Sequence, residues 1–201
     1  MKYSVSFLIT VLFSITLLAG QPVQLQIPLG FSILGSTIPI GADLTIPDGF
    51  SELEPETNLV LPHLMQEQRD KGYVTFVKNY LEPVYPVTRP LPGEISNQVF
   101  VFSSLDEYEI VTFSIHALRD ISNVEVVLDD LSDLSGNVFQ AYNVDIRAVR
   151  CLPRRVWKEN FYMNYPTLLE KPQRIDIERR FTQRFWITTF VPKNTSPGLF
   201  Q

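Results

Sequence analysis

Residues 108–118, YEIVTFSIHAL, decide the fold. Val111, Phe113, Ile115 and Ala117 occupy one phase of the run, and Thr112, Ser114 and His116 occupy the other. Successive side chains of a strand leave on opposite sides, so this period of two marks an extended strand with one face on a core. Working outward, the pattern recurs on both sides. Residues 98–102 (QVFVF) form a short apolar run. Val124, Val126 and Leu128 alternate after Ser122 and Asn123, and residues 143–149 (NVDIRAV) alternate after the turn signal Ser135, Gly136, Asn137. Residues 184–191 (RFWITTFV) make the last clear strand before a turn-rich stretch at residues 192–198. Short strands punctuated by Gly, Asn, Asp and Pro, with no long helical pattern between them, point to an all-β antiparallel β-sandwich over residues 94–201. The expected inward positions are Val111, Phe113, Ile115, Val124, Val126, Val144, Ile146, Phe185 and Ile187.

Upstream of Gly93 the punctuation thickens. Residues 64–71 (LMQEQRDK) can make two helical turns before Gly72 stops them, and residues 73–77 (YVTFV) read as β-type. Pro83, Pro86, Pro90 and Pro92 then hold the chain extended. Residues 63–93 are thus a helical turn and an extended segment packing on the sandwich. Residues 21–62 carry Pro22, Pro28, Pro39, Pro47, Pro55 and Pro62, too many for a helix, and read as a Pro-rich leader or linker. Within it, residues 23–27 (VQLQI) alternate as an edge strand does.

The first twenty residues point to a compartment. Lys2 precedes an apolar run that ends in Leu18, Ala19 and Gly20, the layout of a secretory signal peptide. The run is about 16 residues, short of the roughly 20 needed to span a bilayer. Retention as an anchor is the alternative. The chain is expected to be secreted or periplasmic, with no stable membrane insertion after cleavage. Position 21 is Gln, so the lipid-bearing cysteine of a lipoprotein signal is missing.

The chain has 201 residues, 45% of them hydrophobic and 19% charged, enough for one domain with its own core. Losing residues 1–20 removes Lys2 alone among charged residues and leaves 16 basic against 22 acidic. That balance argues against nucleic-acid binding. Residues 21–146 hold 18 acidic and 5 basic residues, whereas residues 147–184 hold 4 and 10. The basic segment is therefore expected to lie across the acidic remainder of the same fold. Catalytic chemistry is thinly represented. His63 and His116 lack partners at a metal spacing and are expected to be ordinary surface or partly buried residues, and Cys151 is the single cysteine. Asp129, Asp130 and Asp133 read as turn carboxylates, with a calcium loop the sharper but poorly spaced alternative. Asn194, Thr195 and Ser196 match a glycosylation acceptor in form and read as a turn. No catalytic residue, cofactor or metal ligand is assigned.

The segment Arg154, Arg155, Val156, Trp157 and Lys158, with Phe161, Tyr162 and Tyr165, is the best candidate for outside contact. Aromatic rings can stack on sugars and arginines can hold acidic sugars bidentately; equally, such a loop can pack on a neighbouring domain. Both readings stay open for Arg154, Arg155, Trp157, Tyr162 and Tyr165. At the other end, Leu199 opens an apolar run where a hairpin partner for residues 184–191 should begin. The chain is accordingly expected to be a fragment whose last sandwich strand lacks its return partner, with an exposed, aggregation-prone edge at residues 184–191.

Several stretches resemble a known family. Residues 72–76 (GYVTF), Tyr85 with Pro86, Arg89 with Pro90, residues 106–109 (DEYE), 112–115 (TFSI) and 117–120 (ALRD) are similar to the N-terminal β-sandwich of large secreted bacterial glycoside-hydrolase-like proteins. So are residues 145–150 (DIRAVR), 184–188 (RFWIT), Val191 with Pro192, and 196–198 (SPG). They resemble those of glycoside hydrolase family 123, the β-N-acetylgalactosaminidase-like proteins, and of uncharacterised proteins of similar layout. The resemblance covers about residues 70–201. It implies a sandwich preceding a (β/α)8 barrel that carries the catalytic acids, so this chain would be a non-catalytic accessory or scaffold domain and its partner the downstream catalytic domain of the same polypeptide. An independent secreted carbohydrate-binding module, with glycans as partners, is the alternative.

Overall fold

A computed structural model describes residues 7–12, 51–53, 55, 60–156, 160–171 and 174–201. In chain order the strands are β1 (Phe7–Leu12), β2 (Ser51–Glu52), β3 (Tyr73–Phe76), β4 (Gln98–Ser103), β5 (Glu107–Ala117), β6 (Ile121–Val124), β7 (Leu131–Ser132), β8 (Val138–Phe139), β9 (Val144–Arg155), β10 (Phe161–Glu170), β11 (Ile175–Ile177), β12 (Thr182–Val191) and β13 (Leu199–Phe200). Among the described residues the one α-helix, α1 (Gln66–Lys71), ends at Gly72, whose φ of 79° is the left-handed value that favours glycine. Arg119 lies where a Cβ at that position would stand.

The fold is all-β, as expected. Its main layer is a six-stranded sheet in the order β2-β10-β9-β12-β5-β3, and a three-stranded sheet, β13-β1-β4, supplies strands to the opposite layer. Two pairs, β1 with β13 and β2 with β10, are parallel, so the sheets are mixed where an antiparallel sandwich was expected. Between the layers lies one cluster that joins Val99 and Val101 of β4 and Phe200 of β13 to Phe113, Ile115, Phe185 and Ile187 of the main sheet. Phe113 stacks on Phe185 at 5.1 Å between ring centroids. All nine expected inward residues belong to this cluster, with Val111, Val126, Val144 and Ile146 at its partly buried margin.

Four expectations change. First, β12 pairs with β5 over ten residues and with β9 over five, so it is central and has no open edge. Leu199 and Phe200 join β1 instead of folding back on β12, because β12 is already bonded on both sides. Second, the described residues on either side of 157–159 are strands and not a loop: β9 runs on to Arg155, and β10 begins at Phe161, just after Asn160 at φ 63°, and pairs antiparallel with it. Third, residues 63–93 do more than pack on the sandwich, since β3 is a strand of the main sheet, and Ser51–Glu52 of the Pro-rich leader adds a second edge. Fourth, residues 7–12, which lie in the expected signal peptide, form a strand between β4 and β13. Residues 23–27 lie outside the described residues.

Candidate functional site

The outer face of the main sheet builds the site. Alternation puts Thr112, Ser114 and His116 of β5 beside Thr182, Arg184 and Trp186 of β12 on the side away from the core. A polar face of this kind would ordinarily meet water. Here the Pro-rich stretch after β3 crosses over it, and Thr112, Ser114, His116, Thr182 and Arg184 are all buried. His116 is therefore fully buried, against the expectation of a surface or partly buried ring.

Polar side chains of the sheet fasten that crossing stretch. The Arg184 guanidinium donates to the carbonyls of Glu82 and Asn79 (2.8 Å) and to Thr112 Oγ1 (2.6 Å), and Thr112 Oγ1 donates onward to the Lys78 carbonyl (3.0 Å). Burial holds the Arg184 pKa down at about 10, with Glu82 nearby opposing the shift. A second clamp starts at Thr182, whose backbone N–H donates to the Pro86 carbonyl and whose Oγ1 donates to the Thr88 carbonyl at 2.6 Å. With its proton spent there, Thr182 Oγ1 accepts from His116 Nδ1 at 2.8 Å, which leaves the lone pair of the neutral ring on Nε2. Burial first, then the nearby Arg89 charge, lower the His116 pKa to about 4.

Beside the clamp opens a groove of about 290 Å³. Tyr80, Leu81, Glu82 and Pro83 of the crossing stretch form one wall, Tyr165 and Leu169 of β10 the other, and Arg184 and Trp186 of β12 the floor. Tyr80 meets Trp186 edge-on at 6.0 Å, and Tyr85 meets Tyr165 edge-on at 5.8 Å. The rim is apolar and open to solvent: Leu81 is 77% exposed and Tyr165 41%. A second hollow, of about 390 Å³, borders Val84, Pro86, Cys151, Glu170 and Gln183. Burial pushes the Cys151 thiol in it up to about 12, so the thiolate nucleophile is not formed at neutral pH.

Of the residues singled out from the sequence, Tyr165 lines the groove. Arg154, Arg155 and Tyr162 line neither hollow, and Trp157 lies outside the described residues. The hairpin also divides them. Arg155 is opposite Tyr162 and Arg154 opposite Met163, so alternation puts Tyr162 and Tyr165 on opposite faces. Tyr80, Leu81 and Trp186 were missed. A signal existed for Trp186, since inward Phe185 and Ile187 send the residue between them to the outer face; nothing in the Pro-rich stretch pointed to Tyr80 or Leu81.

The acidic stretch acts as turn chemistry. Asp133 accepts from the backbone N–H groups of Ser135 and Asn137, and Asp130 from that of Ala141. Among the described residues no group of three His, Cys, Asp or Glu side chains is placed to hold a metal ion. Arg147 pairs with Asp145 two residues away on β9, and Arg150 pairs with Glu170 inside the basic segment, so neither pair joins that segment to a distant part of the acidic remainder.

No family model matches the chain, and no curated protein matches it. Among solved structures it is similar to a family 123 glycoside hydrolase from Clostridium perfringens, a structure described for glycolipid glycan hydrolysis, with a TM-score of 0.45 and 15% identity. The match covers 48% of this chain and spans 17% of the length of that one. A likeness of this extent assigns no role to any residue.

Proposed function

We propose that this chain is a non-catalytic accessory β-sandwich of a secreted carbohydrate-active protein, and that the groove face is where it docks on a neighbouring domain. The observation that carries the reading is the solvent-facing apolar rim of Tyr80, Leu81, Tyr165 and Leu169 around an already clamped groove. Clustered exposed apolar side chains of this kind mark a surface that a partner covers.

Reading the coding sequence beyond codon 201 and expressing the continuous polypeptide tests this. Leu81→Arg and Tyr165→Arg are expected to separate the two parts in limited proteolysis while the sandwich stays folded. A stop codon directly after Gln201 in an intact gene overturns the scaffold reading. The second reading, an independent glycan-binding module, draws on the perpendicular rings of Tyr80, Trp186, Tyr85 and Tyr165. Calorimetric titration with neutral and acidic oligosaccharides separates the two: binding abolished by Tyr165→Ala favours the module, and no heat with any glycan favours the scaffold.

A further inference from the structure

The three-stranded sheet depends on residues 7–12. Among the described residues, β1 is the only strand beside β13 in that sheet, and it pairs with β4 through six consecutive positions from Phe7 opposite Ser103 to Leu12 opposite Gln98. Adjacent strands stand about 4.8 Å apart, so β4 and β13 flank a gap of roughly 10 Å and cannot bond each other across it. The walls of that gap are built for a strand. Val99, Val101 and Ser103 of β4 and Phe200 of β13 are buried on the core side, while Phe100 and Phe102 face out. Yet residues 7–12 are also the apolar centre of the expected signal peptide. Cleavage after Gly20 would take the strand away and leave its slot.

We propose that, in the processed chain, residues 23–27 (VQLQI) occupy the slot between β4 and β13 in place of residues 7–12. The proposal rests on the signal peptide, residues 1–20, being cleaved. Three features of the sequence match the slot. In the register of β1, positions 7, 9 and 11 fall opposite Ser103, Val101 and Val99, the buried side of β4. Val23, Leu25 and Ile27 have the same spacing, and Gln24 and Gln26 then fall opposite Phe102 and Phe100, the outer side of β4. Pro22 and Pro28 bracket the segment, at or beyond the ends of the ladder, where a missing N–H costs least. Reach is ample as well. The 24 residues from Ile27 to Ser51 can span about 80 Å, roughly twice the width of a domain this size.

The test uses the full chain expressed for export with its own N-terminus, in a Cys151→Ser background. Mass spectrometry of the exported product reads the N-terminus, and a product that keeps residues 7–12 overturns both the leader reading and the proposal. In a product that begins at Gln21, Leu25→Cys with Val101→Cys is expected to form a disulfide under oxidised glutathione, and Leu25→Cys with Phe102→Cys to form none. Equal yields, or no bond in the first pair, overturn the proposal alone. Hydrogen exchange gives an independent readout: the β4 amides of the unsubstituted product should exchange on the order of a hundredfold more slowly than those of Leu25→Asp, with the β5 amides protected in both. Unprotected β4 amides in the unsubstituted product overturn it.

Discussion

His116 shows how a residue takes its properties from what covers it. Its strand phase is polar, but the crossing stretch removes it from water, so the neutral ring is favoured and folding becomes linked to pH. An unfolded histidine binds its proton near 6.5, whereas the folded ring does so only near 4. Between those values the unfolded chain holds more protons. The contribution is therefore complete above about pH 6.5 and lost as pH falls toward about 4, by about 3 kcal/mol in all. His116→Leu is expected to flatten the dependence of the urea midpoint on pH across that window, and Thr182 keeps its bond to the Thr88 carbonyl in the variant. A midpoint in His116→Leu that still falls as steeply between pH 6.5 and 4 would assign the acid sensitivity to other groups.

Elements here are held by side chains that reach across them, and Arg184 is the clearest case. It sits in a strand yet fixes a stretch more than a hundred residues away in sequence. Arg184→Met removes the charged donor to the carbonyls of Asn79 and Glu82, at an expected cost of about 1.5 to 3 kcal/mol. Lysine, with one compact ammonium, cannot reproduce the fork. Both substitutions should expose the chain at Tyr80 and Leu81 to chymotrypsin several-fold faster than in the parent, while the amides of β12 stay protected; unchanged cleavage would show that the stretch is held by something other than the guanidinium. The contrast also marks what the sequence makes legible. Strands with one buried face announce themselves, which is why β4, β5, β12 and the start of β9 were readable. β10 was not, because none of its ten residues is buried: seven are half-buried and three exposed, and Pro166 sits at a register shift inside it. The groove was legible only at Tyr165, since its other wall comes from a Pro-rich stretch whose path depends on Arg184 and Thr182 rather than on any period of its own.

At the scale of the molecule, the two layers share one core, and its centre is the pair Phe113 and Phe185, fully enclosed and stacked at an interplanar angle of 17°. Because β12 is bonded on both sides, the expected aggregation through residues 184–191 has no open edge to start from in the folded state. Loss of stability, and not edge pairing, is the route by which that strand would come free. Phe113→Ala removes a ring of the shared core cluster, and a buried Phe to Ala change typically costs about 3 to 5 kcal/mol, a large share of the roughly 5 to 15 kcal/mol that holds a domain together. Tyr142→Ala is the control, since that ring is 79% exposed and should change stability by less than about 0.5 kcal/mol. In urea melts followed by tryptophan fluorescence, Phe113→Ala should shift the midpoint down strongly and, on warming, bring aggregation forward with it, while Tyr142→Ala tracks the parent. Coincident melts for Phe113→Ala and the parent would mean that the two layers do not share the Phe113 core, and the sandwich assignment itself would have to be withdrawn.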